Sequence, residues 1–216
     1  MSREVIGIIS YLPDDAKIRE ERFKRLRNLI ATCNYLFRVD IYIVIQNYRG
    51  EESYLKRYNN VTLSNNYTRL GIVEARRRLR EWFIESSYSN LIMLDDDCVI
   101  QGSPSQTVNY LKQINENRDC FIEFNGTLLK LFCISKELFR QIDYEDISVE
   151  NGDGFEDRIF VNRLRKMFPD KRRIFDKCGL EELSTSTKDV LSTWYDKQDI
   201  KEMLDKTNKI NAKLNE

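Results

Sequence analysis

The chain of 216 residues contains no histidine. Ser-His-Asp and Cys-His nucleophilic groupings, His-ligated zinc, facial-triad iron and imidazole acid-base catalysis are all excluded by that absence. Carboxylates, hydroxyls, thiols or cations must carry any chemistry. An excess of either charge is missing too: Lys plus Arg and Asp plus Glu each number 35. No global field therefore steers the protein toward polynucleotides or anionic membranes, although local patches remain open. No apolar run is long enough for a signal h-region or a membrane span. Five cysteines, at positions 33, 98, 120, 133 and 178, are odd in number and lack any C-x-x-C or framework spacing. That usage predicts reduced thiols in a soluble, cytoplasmic protein. No internal repeat or low-complexity linker divides the chain, whose length suits one core without staples.

What is present alternates short β-branched runs with longer amphipathic stretches. Val5 to Tyr11, Val39 to Gln46, Val61 to Leu63 and Asn90 to Asp95 read as strands. Between them, a helix starts at Pro13-Asp14-Asp15 and buries Phe23, Leu26, Leu29 and Ile30, with Arg and Lys on a solvated face. Further helices are expected near Glu51 to Tyr58 and from Tyr67 to Ser86. Strand-helix alternation implies right-handed crossovers and a mainly parallel sheet, hence an α/β fold. Ser103-Pro104 reads as a helix N-terminus. Short strands at Cys120 to Phe124 and Leu128 to Ile134 follow, then a helix after Ser135. Asp143 to Gly154 reads as a loop, and Arg158 to Met167 as a helix ended by Pro169. Ile200, Met203, Leu204, Ile210 and Leu214 keep helical spacing. The expected organisation is one catalytic domain over 1–183 and a C-terminal helical extension over 184–216, packed on the same domain.

Asp95-Asp96-Asp97 follows directly on the apolar run Leu91-Ile92-Met93-Leu94. This places adjacent carboxylates at the C-terminal edge of a buried strand, where open α/β sheets bind ligands. Two carboxylates about 4 Å apart repel by about 4 kcal/mol at an effective dielectric near 20, so the cluster needs a cation or a raised pKa. On an extended segment Asp95 and Asp97 point the same way and can share Mg²⁺ or Mn²⁺ while Asp96 faces elsewhere. Such ions complete their shells with water and substrate phosphates, which predicts a phosphate-bearing ligand.

Four ordered features give the context: Ile8 to Pro13, the G-x-x-x-A-R segment Gly71 to Arg76, the LDDD edge, and Phe155-Glu156-Asp157-Arg158. Together they resemble nucleotide-sugar-dependent glycosyltransferases of GT-A type across roughly residues 4 to 175. The resemblance implies a single GT-A-like domain using a nucleotide diphosphate sugar, most often a UDP-sugar, with Mn²⁺ or Mg²⁺. It places Ser10, Tyr11 and Arg76 on the nucleotide, Asp96 near the ribose, and Asp95 and Asp97 on the metal. Asp157 becomes the base in an inverting member, with Glu156 and Asp153 on the acceptor side. The family commonly supplies a histidine as third metal ligand, which this chain lacks; Asp176 or water would stand in.

Asp95-Asp96-Asp97-Cys98-Val99 also fits the nucleophile motif of a haloacid-dehalogenase-type phosphatase, with Lys130 or Lys136 as its lysine and Gly152-Asp153 with Asp157 as its second acidic motif. That family starts with its nucleophile strand, which leaves some 90 residues here unexplained. A non-catalytic nucleotide-binding module would make the acidic constellation decorative. A nucleotidyltransferase would want a Gly- and Lys-rich first loop, and Ser10 to Asp14 contains neither residue. Glu52 to Tyr58, Leu63, Gly71 to Arg76 and LDDD are in addition similar to compact glycosyltransferases that phages and other viruses encode beside base-hydroxylating dioxygenases. This likeness implies hydroxymethylated bases in DNA as acceptor, in a host cytoplasm, against a glycan as the other acceptor class. The basic run Arg163 to Lys177 reads either as a solvated face or as a contact to acceptor or diphosphate.

Overall fold

A computed structural model describes residues 4–124, 131–142, 156–175 and 180–184. The β-branched runs form β1 (Glu4–Tyr11), β2 (Asp40–Gln46), β3 (Val61–Asn66) and β4 (Asn90–Asp95). They are joined by α1 (Ala16–Leu36), α2 (Glu52–Leu55) and α3 (Ile72–Glu85). Then come β5 (Cys98–Gln101), α4 (Pro104–Glu116), β6 (Phe121–Phe124), β7 (Phe132–Ser135), α5 (Lys136–Arg140), α6 (Glu156–Met167), β8 (Arg172–Phe175) and β9 (Glu181–Ser184).

Seven strands make one sheet in the order β3-β2-β1-β4-β7-β6-β8. Pairings within β3-β2-β1-β4 and between β6 and β8 are parallel, whereas β7 runs antiparallel to both β4 and β6. The architecture is thus a mixed, mostly parallel α/β sheet flanked by helices. The chain departs from β1 toward β2 and β3 and later returns on its other side as β4. The carboxyl ends of β1 and β4 therefore flank a topological switch point, the place where such sheets hold ligands.

Alternation along each buried strand feeds two cores. Ile6, Ile8, Ile43, Ile45, Ile92 and Leu94 pack with Leu26, Leu29 and Ile30 of α1, while Val5, Val44, Leu91 and Met93 pack with Ala75, Leu79 and Phe83 of α3. Each fully buried side chain of this kind contributes about 1.5–3 kcal/mol. Gly7 sets the approach of α3, because a Cβ there would lie 2.8 Å from Leu79 Cδ1 and from Leu91 Cδ1.

Three strands depart from the expectation. β8 and β9 were not anticipated, and β5 forms a separate two-stranded antiparallel sheet with β9. The Asp143 to Gly154 loop, the 184–216 extension beyond Ser184, Lys130 and Cys178 lie outside the described residues. Cys33, Cys98, Cys120 and Cys133 are buried free thiols. Among the described residues, no helix is long and apolar enough to cross a membrane.

Candidate functional site at the carboxyl edge of the sheet

Asp95 closes β4 opposite Ile9 of β1, so the three aspartates meet Ser10 and Tyr11 at the switch point. Asp96 and Asp97 are not extended, contrary to the strand geometry expected for them; they form the turn into β5. The turn, rather than strand alternation, separates the three side chains. Asp95 is half exposed and Asp96 buried, at 50% and 7% side-chain exposure.

Two arginines address this turn. Arg22 of α1 donates to Asp96 Oδ1 at 2.9 Å, and Ser10 Oγ donates to Asp96 Oδ2 at 2.6 Å. Arg76 of α3 forms a longer pair with Asp95, 3.4 Å from Nη2 to Oδ1. Asp97 is pushed up to about 6, first by burial and then by Asp96 and Asp95 beside it, with Arg22 pulling the other way. Among the described residues, two guanidiniums face the three carboxylates.

Gly71 explains how Arg76 arrives there. It caps α3 at φ 82, a left-handed conformation that favours glycine, and thereby fixes the direction in which the helix leaves the edge. Arg76 is buried. Its neighbours are otherwise engaged: Arg77 and Arg78 pair with Glu74, and Arg80 donates to the Phe139 and Arg140 carbonyls.

Tyr11 carries the Arg69 guanidinium 5.2 Å from its ring centroid. The segment holding Arg69 is pinned to β2, since the Leu70 amide donates to Gln46 Oε1 at 2.8 Å. The loops after β1 and β2 are locked together by Arg19, which reaches Glu51 through Nε, the Pro13 carbonyl at 3.2 Å and the Asn47 carbonyl at 2.8 Å. Its guanidinium hydrogen bond, helped by the Arg49 amide and set against partial burial, lowers Glu51 to about 2.

Glu156 and Asp157 open α6, but their side chains, like Asp153 and Asp176, lie outside the described residues. Among the described residues, no group of three or more aspartate, glutamate or cysteine side chains is arranged to hold a metal. Among the described residues, a cation would rest on Asp95 and Asp97. The basic run is largely engaged within the protein: Arg165 and Arg172 grip Glu123, Lys171 pairs with Asp119, and Arg173 donates to the Asp170 and Arg172 carbonyls. Lys136 sits at the opposite end of β4 from Asp95, beside Ser135, which pairs with Asn90. Arg22, Tyr48, Arg19 and Arg69 were not singled out from the sequence. Arg19 and Arg22 left a weak signal there, since both continue the stripe of Leu26, Leu29 and Ile30 at helical spacing.

No protein-family model matches the chain, nor does any curated protein sequence. Solved structures do resemble it. S. aureus TarS superimposes with a TM-score of 0.62 at 13% identity, over 95% of this chain and 43% of TarS. This chain thus spans less than half the length of that protein. A TarS fragment, residues 1-349, in complex with UDP-GlcNAc gives 0.57 at 14% identity, over 86% of this chain and 57% of the fragment. CMP:2-keto-3-deoxy-manno-octonic acid synthetase complexed with CTP gives 0.52 at 9% identity, covering 81% and 90% of the two chains. The chain therefore has the GT-A-like α/β fold of nucleotide-sugar transferases and synthetases.

Proposed function

We propose that the protein transfers a sugar from a nucleotide diphosphate sugar, a UDP-sugar in the first instance, to an acceptor hydroxyl. The observation that carries this reading is the gathering of three consecutive carboxylates at the switch point, with the buried Arg76 at Asp95, Ser10 at Asp96 and the Tyr11-Arg69 pair at the end of the neighbouring strand. Hard carboxylate oxygens fit Mn²⁺ or Mg²⁺, with Asp95 and Asp97 as ligands and substrate phosphates completing the shell. Such a cation would stabilise the charge developing on the departing diphosphate. Arg76 adds a fixed positive charge where that diphosphate would lie. Tyr11 and Arg69 offer a flat, cationic platform to the nucleotide. Asp157 is assigned the acceptor's proton, with Glu156 and Asp153 on the acceptor side.

Two other readings share parts of this geometry. The CTP-bound neighbour belongs to nucleotidyl chemistry, but the loop from Leu12 to Asp15 offers no glycine or lysine to a triphosphate. In the phosphatase reading Asp95 would attack phosphorus, yet Lys136 donates to the Ser86 carbonyl at 2.5 Å, at the far end of β4. Calorimetry of UDP with Mn²⁺ tests the proposal: the protein should bind UDP only with the cation, and Asp97→Asn should abolish that binding. Retained metal-dependent binding in Asp97→Asn refutes the metal assignment. Release of p-nitrophenol from p-nitrophenyl phosphate, lost in Asp95→Asn, would favour the phosphatase.

A further inference from the structure

Arg22 occupies a position on α1 where the helix otherwise turns apolar residues inward. Leu26, Leu29 and Ile30 continue the same stripe and are buried. Its side chain is only 12% exposed, and its Nη2 holds one oxygen of Asp96. Ser10 holds the other oxygen. A serine hydroxyl has one proton, and that of Ser10 goes to the carboxylate. The contact of 2.9 Å between the Ser10 and Tyr48 hydroxyls is therefore donated by Tyr48. Ser10 and Tyr48 are both buried. Helix α1, strand β1 and the segment after β2 thus converge on the middle carboxylate of an acidic triplet. That carboxylate neighbours the two residues assigned to the cation.

We propose that Arg22 is a positioning residue that withholds Asp96 from the cation, so that divalent metal binding depends on the phosphates of the nucleotide. The proposal rests on the metal assignment made above. A divalent ion on two carboxylates keeps most of its shell for water and phosphate, and is held firmly only when the donor completes it. A third carboxylate in the same turn would hold the ion whether or not a nucleotide were present. Arg22 acts through Asp96, which its guanidinium engages directly. By linkage, the nucleotide and the cation then strengthen each other's binding by the same factor.

Mn²⁺ titrations followed by the electron paramagnetic resonance of the free ion, with and without UDP, test this. In the unaltered protein UDP should tighten Mn²⁺ binding by about tenfold or more. Arg22→Gln should tighten binding of Mn²⁺ alone by about tenfold and reduce the enhancement by UDP to about twofold. Unchanged or weaker binding of Mn²⁺ alone in Arg22→Gln overturns the proposal. In the Asp96→Asn background the same substitution should have no effect. Tightening that persists there shows a bare charge effect and also overturns it. If Arg22→Gln does not fold, Ser10→Ala removes the other hydrogen bond to Asp96 and should tighten Mn²⁺ binding by about threefold; no change refutes the proposal. Failure of the unaltered protein to bind Mn²⁺ with or without UDP is a different result, which removes the metal assignment itself.

Discussion

Among the described residues, two of the places where a pair of arginines meets acidic residues, both reaching into the interior, have opposite stoichiometry. At the carboxyl edge, three aspartates share Arg22 and Arg76. On β6, Glu123 alone takes both Arg165 and Arg172, accepting bonds of 2.9 and 2.6 Å from the first and of 3.2 and 2.9 Å from the second. Burial opposes ionisation of Glu123, yet the two guanidiniums hold it below the usual carboxylate range. Asp97, crowded by like charge, moves the other way. A carboxylate held by two guanidiniums ties elements together; three carboxylates crowded in one turn raise one another's cost of ionisation. Both places set guanidinium against carboxylate, and the ratio of the described partners differs between them.

Substitutions that neutralise one carboxylate in each cluster should therefore have opposite effects on stability. Glu123→Gln strands two charged arginines and should cost about 3 kcal/mol in urea unfolding, with Mn²⁺ affinity unchanged. Asp97→Asn should stabilise the fold by about 1–3 kcal/mol above pH 6. The sign follows from a folded value of about 6 against an ordinary 3.8. The penalty of ionising Asp97 is absent below the lower value, grows between them and is complete above the upper, so the gain should vanish in unfolding curves measured near pH 3.8. A destabilised Asp97→Asn at neutral pH would end the comparison.

Glu51 sharpens it from the other direction, since Arg19 lowers its value from 4.5 to about 2. The stability it contributes should be fully present above about pH 4.5 and lost as pH falls through about 2. Glu51→Gln should flatten acid unfolding in that window. The smallest effect belongs to the exposed pair Lys112–Glu116, where Lys112→Ala should change stability by less than about 0.5 kcal/mol.

The parallel half of the sheet was legible because β1, β2 and β4 are near-continuous apolar runs, buried on both faces, and the helices between them repeat at 3–4 residues. The acidic edge was legible for the same reason, as three carboxylates closing such a run. β5, β8 and β9 were not: each has four residues, and their partners lie far away in sequence, as when Cys98 pairs with Ser184. Arg22 and Arg19 were hidden by composition, since arginines among apolar residues on a helix ordinarily mark the solvated face. Their carboxylate partners in the Asp96 turn and at Glu51, with backbone carbonyls around Arg19, turn them inward. Tyr48 follows β2 without any pattern that would reveal its hydroxyl contact.

The β5–β9 ladder has a kinetic consequence. β5 leaves the acidic turn directly, and its antiparallel register sets Ser184 against Cys98, the residue after Asp97. Contacts of such long sequence separation form late, because loop closure must precede them. Early in folding the aspartate turn is therefore anchored through β4, and its support from β5 is completed only once the chain around Ser184 has docked. Hydrogen exchange during refolding should protect β1 and β4 before β5, so that a chain can acquire most of its core while its acidic turn is still half supported.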